Sequence, residues 1–268
     1  MGRLNDPRFR HIAIVGYGLV GASIAKAATR RWPSTQITAI GAGEGLGKAR
    51  GADLVVLAAP VLASIARLTE LPEHLTPDTI VTDVCSTKRL IAAAAAALPM
   101  TFIGGHPMAG GARGGVANAR ADLFDGRPWI LTPGNHHTAA SARLEEFVAG
   151  LGGVPHVMTP ELHDRFVGAV SHLPQLTASA LMHVVGKLAG DAGLEIAGAG
   201  LHDTTRLAAS PSDIWRDIAA TNQDVIRDAL DTLIRTLTEM RDSLGSGDAI
   251  EEVFASACRW RETLDRSR

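Results

Sequence analysis

The seven residues GGHPMAG at 104–110 hold one histidine, His106, between glycines. An imidazole with an ordinary pKa near ~6.5 takes up a proton at neutral pH, and the flanking glycines let backbone and ligand approach closely. His106 is therefore the candidate catalytic base. A second pattern precedes it: in GYGLVG at 16–21, Gly16, Gly18 and Gly21 have the spacing GxGxxG. The first glycine permits a tight turn, the second lets the backbone approach a pyrophosphate, and the third allows close packing of helix on strand. The N–H groups opening that helix face the phosphates. With Leu19 and Val20, these glycines are the first candidates for binding a dinucleotide.

The elements that must position these residues follow from hydrophobic pattern. An apolar run at 11–15 ends in Gly16, a helical pattern follows from 19 to about 30, and Pro33 marks its end. Runs rich in Val, Ile, Leu and Thr recur at 36–42, 54–59 and 79–84, with helical stretches between the later ones. Strands covered on both faces by crossover helices read this way, so the expected fold class is α/β, with an N-terminal doubly wound parallel sheet of Rossmann type. Residues 102–104 and 129–132 are expected to extend it at one edge. The loop after His106 would then lie at a strand's carboxyl end, where open α/β sheets bind ligands. Ala59 and Pro60, at the end of the third run, and Ser86, after the fourth, join the cofactor candidates.

Past the second run, Glu44 is the nearest carboxylate for adenosine ribose hydroxyls, while Lys48 and Arg50 could face a 2′-phosphate. Alternatively all three are solvated surface charges. NAD+ and NADP+ both stay open.

The chain of 268 residues is long enough for two cores, with the boundary expected between 157 and 158. A net charge of −2 and 4% aromatic residues point away from nucleic acid and anionic membrane as partners, toward a small-molecule substrate. Cys85 and Cys258 match no disulfide framework or zinc spacing, no metal is expected, and the first residues lack an apolar leader. A reduced, cytoplasmic protein is the expectation.

The C-terminal half reads as helical. From 161 to 188, Leu162, Phe166, Val170, Leu173, Leu176 and Ala180 form a stripe interrupted by Pro174. Proline removes a donor and presses on the carbonyl of Val170, so a kink is expected beside Ser171, His172 and Gln175, as a ligand site or as a merely packed bend. Ser210, Pro211 and Asp213 look like a capped helix start, with the helix running to about Leu244 and a last one over 249–264. Helices this long need a partner surface, so a homodimer through this all-α half is expected, with a monomeric bundle as the alternative.

The blocks GYGLVG, VTDVCSTK, GGHPMAGG, SHLPQ and HDTTRLAASPSDIW, in this order, resemble the prephenate and arogenate dehydrogenase family over nearly the whole chain. That resemblance implies a nicotinamide-binding Rossmann domain joined to a helical dimerisation domain. It also implies oxidative decarboxylation of prephenate to 4-hydroxyphenylpyruvate, or of arogenate to tyrosine, in tyrosine biosynthesis. His106 matches the family base, and Ser86 the serine that holds the histidine and the ring hydroxyl in line; Ser86 could also cap a helix beginning near Lys88. Arg206 matches the carboxylate-binding arginine, a surface salt bridge being its bland alternative. Asp203 is expected to position that loop, and Trp215 to wall the pocket or sit in the core. Many prephenate-preferring members read SHLPH, whereas this chain has Gln175 at the second histidine, which opens the choice of substrate. With the chain ending near Arg268, no tyrosine-binding ACT module is expected. Competing readings are another dehydrogenase of Rossmann plus helical plan, an enzyme for 4-amino-4-deoxyprephenate, or a non-catalytic dinucleotide sensor.

Overall fold

The computed structural model describes residues 8–111, 114–134 and 139–266. Strand β1 (His11–Val15) leads into helix α1 (Leu19–Arg31), then β2 (Gln36–Ile40), a 3-10 turn at Leu46–Ala49, and β3 (Leu54–Leu57). Next come α2 (Val61–Glu70), β4 (Ile80–Asp83), α3 (Arg89–Ala96), β5 (Thr101–Pro107), β6 (Pro128–Thr132), α4 (Ala139–Gly150) and β7 (Val154–Val157). These strands form one sheet in the order β2-β1-β3-β4-β5-β6-β7. The first five strands in that order run parallel, which puts the order reversal at β1.

The apolar runs of β3 and β4 are buried at every position, and that of β1 at all but its first, because both faces are covered, while β2 at the sheet edge buries only Ile40. Ile12 and Ile14 enter a core with Ile24, Trp32 and Phe147 on one side, while Ala13 and Val15 enter another with Leu68 and Ile91. Each such side chain contributes about 1.5–3 kcal/mol of burial. The edge departs from expectation. The run at 129–132 does extend the sheet as β6, but antiparallel to β5, and β7 joins beyond it, parallel to β6. The sense of β6 is fixed by the connection after β5, which returns to the carboxyl end before pairing.

The helical half continues with α5 (Pro160–Val167), a π-helical turn at Gly168–His172, and α6 (Leu173–Leu194). Pro174 thus produces a wide turn rather than a simple kink: it sits in the first turn of α6, where its missing donor costs nothing, and the Leu173 N–H reaches back to the Gly168 carbonyl. The expected stripe does not face inward. Phe166 and Val170 are exposed, and the buried side of these helices is His163, Asp164, Val167, His172 and Gln175. Its polar members can be buried because each has a partner: His163 and Asp164 bond each other, His172 bonds Asn222, and Gln175 bonds Leu207 and Ser210.

After α7 (Ala199–Thr205) and a 3-10 turn at Arg206–Ala209, α8 (Ser212–Thr221) starts with Pro211 as N-cap. Ser210 does not cap it, since its hydroxyl donates to Gln175 Oε1 at 3.2 Å. Asp213 lies in the first turn as expected. The single helix expected to reach Leu244 is instead broken at Asn222 (φ −135°), and α9 (Gln223–Asp242) and α10 (Asp248–Arg266) follow. Asn222 leaves the helix because its buried amide is engaged by three neighbours. The chain forms two compact units, 1–223 and 224–268; the first holds the sheet and the second is the α9 and α10 pair. Among the described residues, no helix is long and apolar enough to cross a membrane.

Candidate active site

A cavity of roughly 440 Å³ lies at the carboxyl ends of β1, β3, β4 and β5, roofed by the π turn and α8. His106, the penultimate residue of β5, reaches it because two glycines precede it. A Cβ on Gly105 would lie 2.5 Å from the Asp83 carbonyl and 3.0 Å from Thr82 Oγ1, so only glycine lets β5 press this closely on β4. His106 lines the cavity yet is 9% exposed. Burial, then the charges of His163, Lys88 and His172, hold its pKa well below the ordinary value. The ring is neutral at physiological pH. Its Nδ1 lies 2.8 Å from His163 Nε2.

Below it, Lys88 and Asp83 form a buried ion pair, and Asp83 also accepts from Gly105 N at 3.0 Å and Cys85 N at 2.9 Å. Those extra bonds satisfy the carboxylate that burial would otherwise penalise. Ser86 lines the cavity, but the side-chain partner of His106 is His163, not Ser86. Nor does Ser86 cap a helix. The N-terminus of α3 is closed by Asp164, which accepts from Lys88 N at 2.7 Å and Arg89 N at 3.0 Å. A carboxylate fully ionised at a helix start outcompetes a hydroxyl there. Cys85 also lines the cavity, but burial raises its pKa, so the thiol is no nucleophile.

Ser171, His172 and Trp215 line the opposite wall, with the His172 and Trp215 rings edge to face at 6.0 Å. Trp215 thus has the wall position, of its two expected ones. Asn222 Oδ1 accepts from Arg89 Nη2 at 2.8 Å, which turns Nδ2 toward the Asp164 carbonyl at 2.9 Å and His172 Nδ1 at 3.3 Å. His172 is held neutral at about 4 by burial, so with Nδ1 accepting, the proton is on Nε2. Nε2 is buried without a partner among the described residues. Such a group costs about 1–3 kcal/mol, and gives the wall one donor for a ligand oxygen.

Gln175 does not line the cavity. It is buried, with Nε2 donating to the Leu207 carbonyl at 2.8 Å and to Ser179 Oγ at 3.3 Å. Arg206 and Asp203 are exposed and likewise outside the lining, although Ser210 and Pro211, just beyond Arg206, belong to it.

For a dinucleotide the residues fit. Gly18, Leu19, Val20, Ala59, Pro60 and Ser86 all line the cavity. Gly16 has φ +96° and a Cβ there would lie 2.6 Å from the Ala58 carbonyl, while a Cβ on Gly21 would collide with the Gly16 carbonyl. At Gly18 nothing lies within 4 Å of that position, so the first turn of α1, with no side-chain cap and no acidic residue, opens onto free space. That is an anion cradle in shape and charge. Glu44 lies outside the lining; its carboxylate accepts from Gly41 N at 2.7 Å and pairs with Lys48 at 2.6 Å, and the Lys48 bond is the main cause that lowers its pKa.

Sequence reasoning missed His163, Asp164, Arg89 and Asn222. The adjacent His-Asp pair on the polar side of a helix was the available signal, because two such residues bury only when something bonds them.

Residues 18–157 match the family model described as prephenate dehydrogenase, nucleotide-binding domain, and residues 159–256 match prephenate dehydrogenase, dimerization domain. The chain is 32% identical over 280 residues to a prephenate dehydrogenase of Bacillus subtilis (strain 168), covering 94% of this chain and 76% of that one. Among solved structures it resembles prephenate dehydrogenase from A. aeolicus in complex with hydroxyphenyl propionate and NAD+, with a TM-score of 0.85 and 26% identity over 95% of this chain and 98% of that one. Synechocystis arogenate dehydrogenase matches with a TM-score of 0.77 and 28% identity, over 96% of this chain and 100% of that one.

Proposed function

Because the chain belongs to the prephenate dehydrogenase family, we propose that it oxidatively decarboxylates a cyclohexadienyl substrate, prephenate or arogenate, with hydride transfer to NAD+ or NADP+. The observation that carries this reading is that neutral His106 and the open turn at Gly18 line one cavity, so base and dinucleotide address the same space.

When bound, the nicotinamide supplies the acceptor for the hydride that leaves C4 of the ring. His106 takes the C4 hydroxyl proton as that hydride departs, and returns it to the same oxygen once loss of CO2 from C1 has made the ring aromatic. Ser86, beside His106 in the cavity wall, bonds the hydroxyl and keeps it in line. The Nε2–H of His172 meets a substrate oxygen, with Ser171 and Trp215 shaping the wall around it. Arg206, at the family position, is assigned a substrate carboxylate, with Asp203 positioning its segment. Gln175 acts on substrate indirectly, by pinning residues 207–210.

The division of labour is drawn at 157 and 158, cofactor binding before and assembly after. Phe166, Val170 and Leu188, and in the second unit Leu237, Phe254 and Trp260, are exposed apolar side chains that a second copy would cover, which supports a homodimer. A cytoplasmic location fits two free cysteines and a biosynthetic role.

The test crosses prephenate and arogenate with NAD+ and NADP+ and follows the absorbance of reduced nicotinamide. Turnover in any combination supports the reading and names substrate and cofactor. Silence in all four, with cofactor binding shown separately, would sink it.

A further inference from the structure

Behind His106 the helical half supplies a second buried histidine and a buried carboxylate. His163 Nδ1 lies 2.8 Å from Asp164 Oδ1, and His163 Nε2 faces His106 Nδ1 at the same distance. Both partners are fully buried. Every contact in such a chain needs one donor and one acceptor, and protonation at one end decides the rest.

The carboxylate is the fixed end. Burial alone would raise the Asp164 pKa, but the hydrogen bonds from His163 and from the N–H groups of Arg89 and Lys88 outweigh it and keep the group ionised. An ionised carboxylate only accepts, so His163 carries its proton on Nδ1. Burial, opposed but not overcome by Asp164, keeps His163 neutral, so its Nε2 is bare. His106 Nδ1 must therefore donate, and since His106 is neutral as well, its own bare nitrogen is Nε2. The opposite arrangement would set two lone pairs against each other between His163 and Asp164.

We infer that His163 and Asp164 are positioning residues for the reaction: running from α5 to β5, they hold His106 in the tautomer whose Nε2 is free to accept a proton, and they share the charge when it does. This rests on the assignment of His106 as the base. The other charged or titratable groups that bear on His106 are Lys88, paired with Asp83 below it, and His172 on the π turn. Lys88, His172 and a proton on His163 all oppose a proton on His106, so His163 supports it only while neutral, and the Asp164 carboxylate behind it is the group that accommodates the transient imidazolium.

The experiment is ¹⁵N NMR of the imidazoles in the full chain, paired with kinetics of Asp164→Asn and His163→Gln. In the wild type, His106 should be protonated on Nδ1; protonation on Nε2 overturns the inference whatever the variants do. Asparagine with its oxygen at the Oδ2 position still accepts from Arg89 N, while its amide nitrogen at the Oδ1 position can donate to His163 Nδ1 and so reverse the chain, giving up the bond from Lys88 N. Asp164→Asn should lower kcat by about 10²- to 10⁴-fold, with KM and cofactor Kd changed less than about threefold and the His106 tautomer reversed. Glutamine at 163 can accept from His106 Nδ1, so His163→Gln should keep the tautomer and lose only about tenfold. Wild-type kcat with an unchanged tautomer in Asp164→Asn overturns the proposal. Should that variant not fold, the wild-type spectrum alone decides. A wild type inactive on every cyclohexadienyl substrate would remove the proposed function, while the spectrum still tests the relay.

Discussion

Gln175 ties α6 to Leu207, donating from Nε2 to that carbonyl at 2.8 Å while its Oε1 accepts from Ser210. The segment it pins brings Ser210 and Pro211 to the cavity wall. Gln175→Leu leaves the Leu207 carbonyl without this donor, at a cost of about 1–3 kcal/mol. KM should rise severalfold and kcat change less, with a lowered Tm; steady-state kinetics and thermal unfolding of the same preparation check this. An unchanged KM would mean the segment holds its place unaided.

His106→Ala should lower kcat/KM by about 10²- to 10⁴-fold. The pH profile of the wild type is the sharper measurement. Since burial and neighbouring charges push the His106 pKa down, the base is already free at neutral pH. With saturating cofactor, kcat/KM should stay flat from neutral pH down past the ordinary histidine value of ~6.5 and fall only well below it. A midpoint at or above that value would contradict the buried environment.

Gly18 and Gly21 should separate cofactor binding from folding. A methyl group at Gly18 meets nothing in the folded chain, so Gly18→Ala should keep its Tm yet weaken cofactor binding about tenfold or more by occupying the phosphate approach. At Gly21 the same methyl collides with the Gly16 carbonyl, so Gly21→Ala should lose several degrees of Tm or fail to accumulate. Fluorescence titration with the dinucleotide, alongside melting curves, reads both; equal effects at the two positions would refute the distinction.

Acid should loosen the fold within a defined window. His172 is held at about 4, and His106 and His163 below their ordinary value, in each case chiefly by burial. Each stays neutral when folded, whereas the unfolded chain takes up protons near ~6.5. The stability these groups contribute is whole above that value and is lost as pH falls through the folded ones. His172 alone accounts for up to about 3 kcal/mol between pH ~6.5 and about 4. Tm measured at constant ionic strength should decline steadily over this range, and a level curve would show that the rings take up protons while folded.

Arg206→Ala should raise KM by about tenfold or more with kcat less affected, and lower Tm little because the side chain is exposed. Arg206→Lys should recover only part of the loss, since an ammonium cannot make the bidentate contact. Unaltered KM in both variants would move the carboxylate site elsewhere.

The sheet was legible because residues such as Ile12 to Val15 are apolar at every position, the mark of a strand covered on both faces. Strand β7 was not, since Val154–Val157 is short and largely exposed. The sense of β6 depends on the path of the preceding loop, which no local pattern encodes. In the helical half, reading Phe166 and Val170 as the inward stripe failed because hydrophobicity alone does not say which of two faces meets the sheet. The inner face is polar, and its residues become recognisable as core only when their partners on α3 and at Asn222 are known. The tight turn at Gly16 and the close packing at Gly21 were legible because these glycines act through contacts with nearby backbone, whereas the reach of Arg206 depends on elements distant in sequence.

The π turn can be regarded as a phase shift. Nine residues separate His163 from His172, and at about 100° per residue an unbroken α-helix would turn them to roughly opposite sides. Both nevertheless bear on His106, because the wide turn at Gly168–His172 resets the rotation between them. One continuous stretch of helix thereby delivers an acceptor chain and a donor to the same space. The same residues wound regularly, with none lost, would leave His172 about a quarter of a revolution away from the cavity, with every side chain of the wall still present in the sequence.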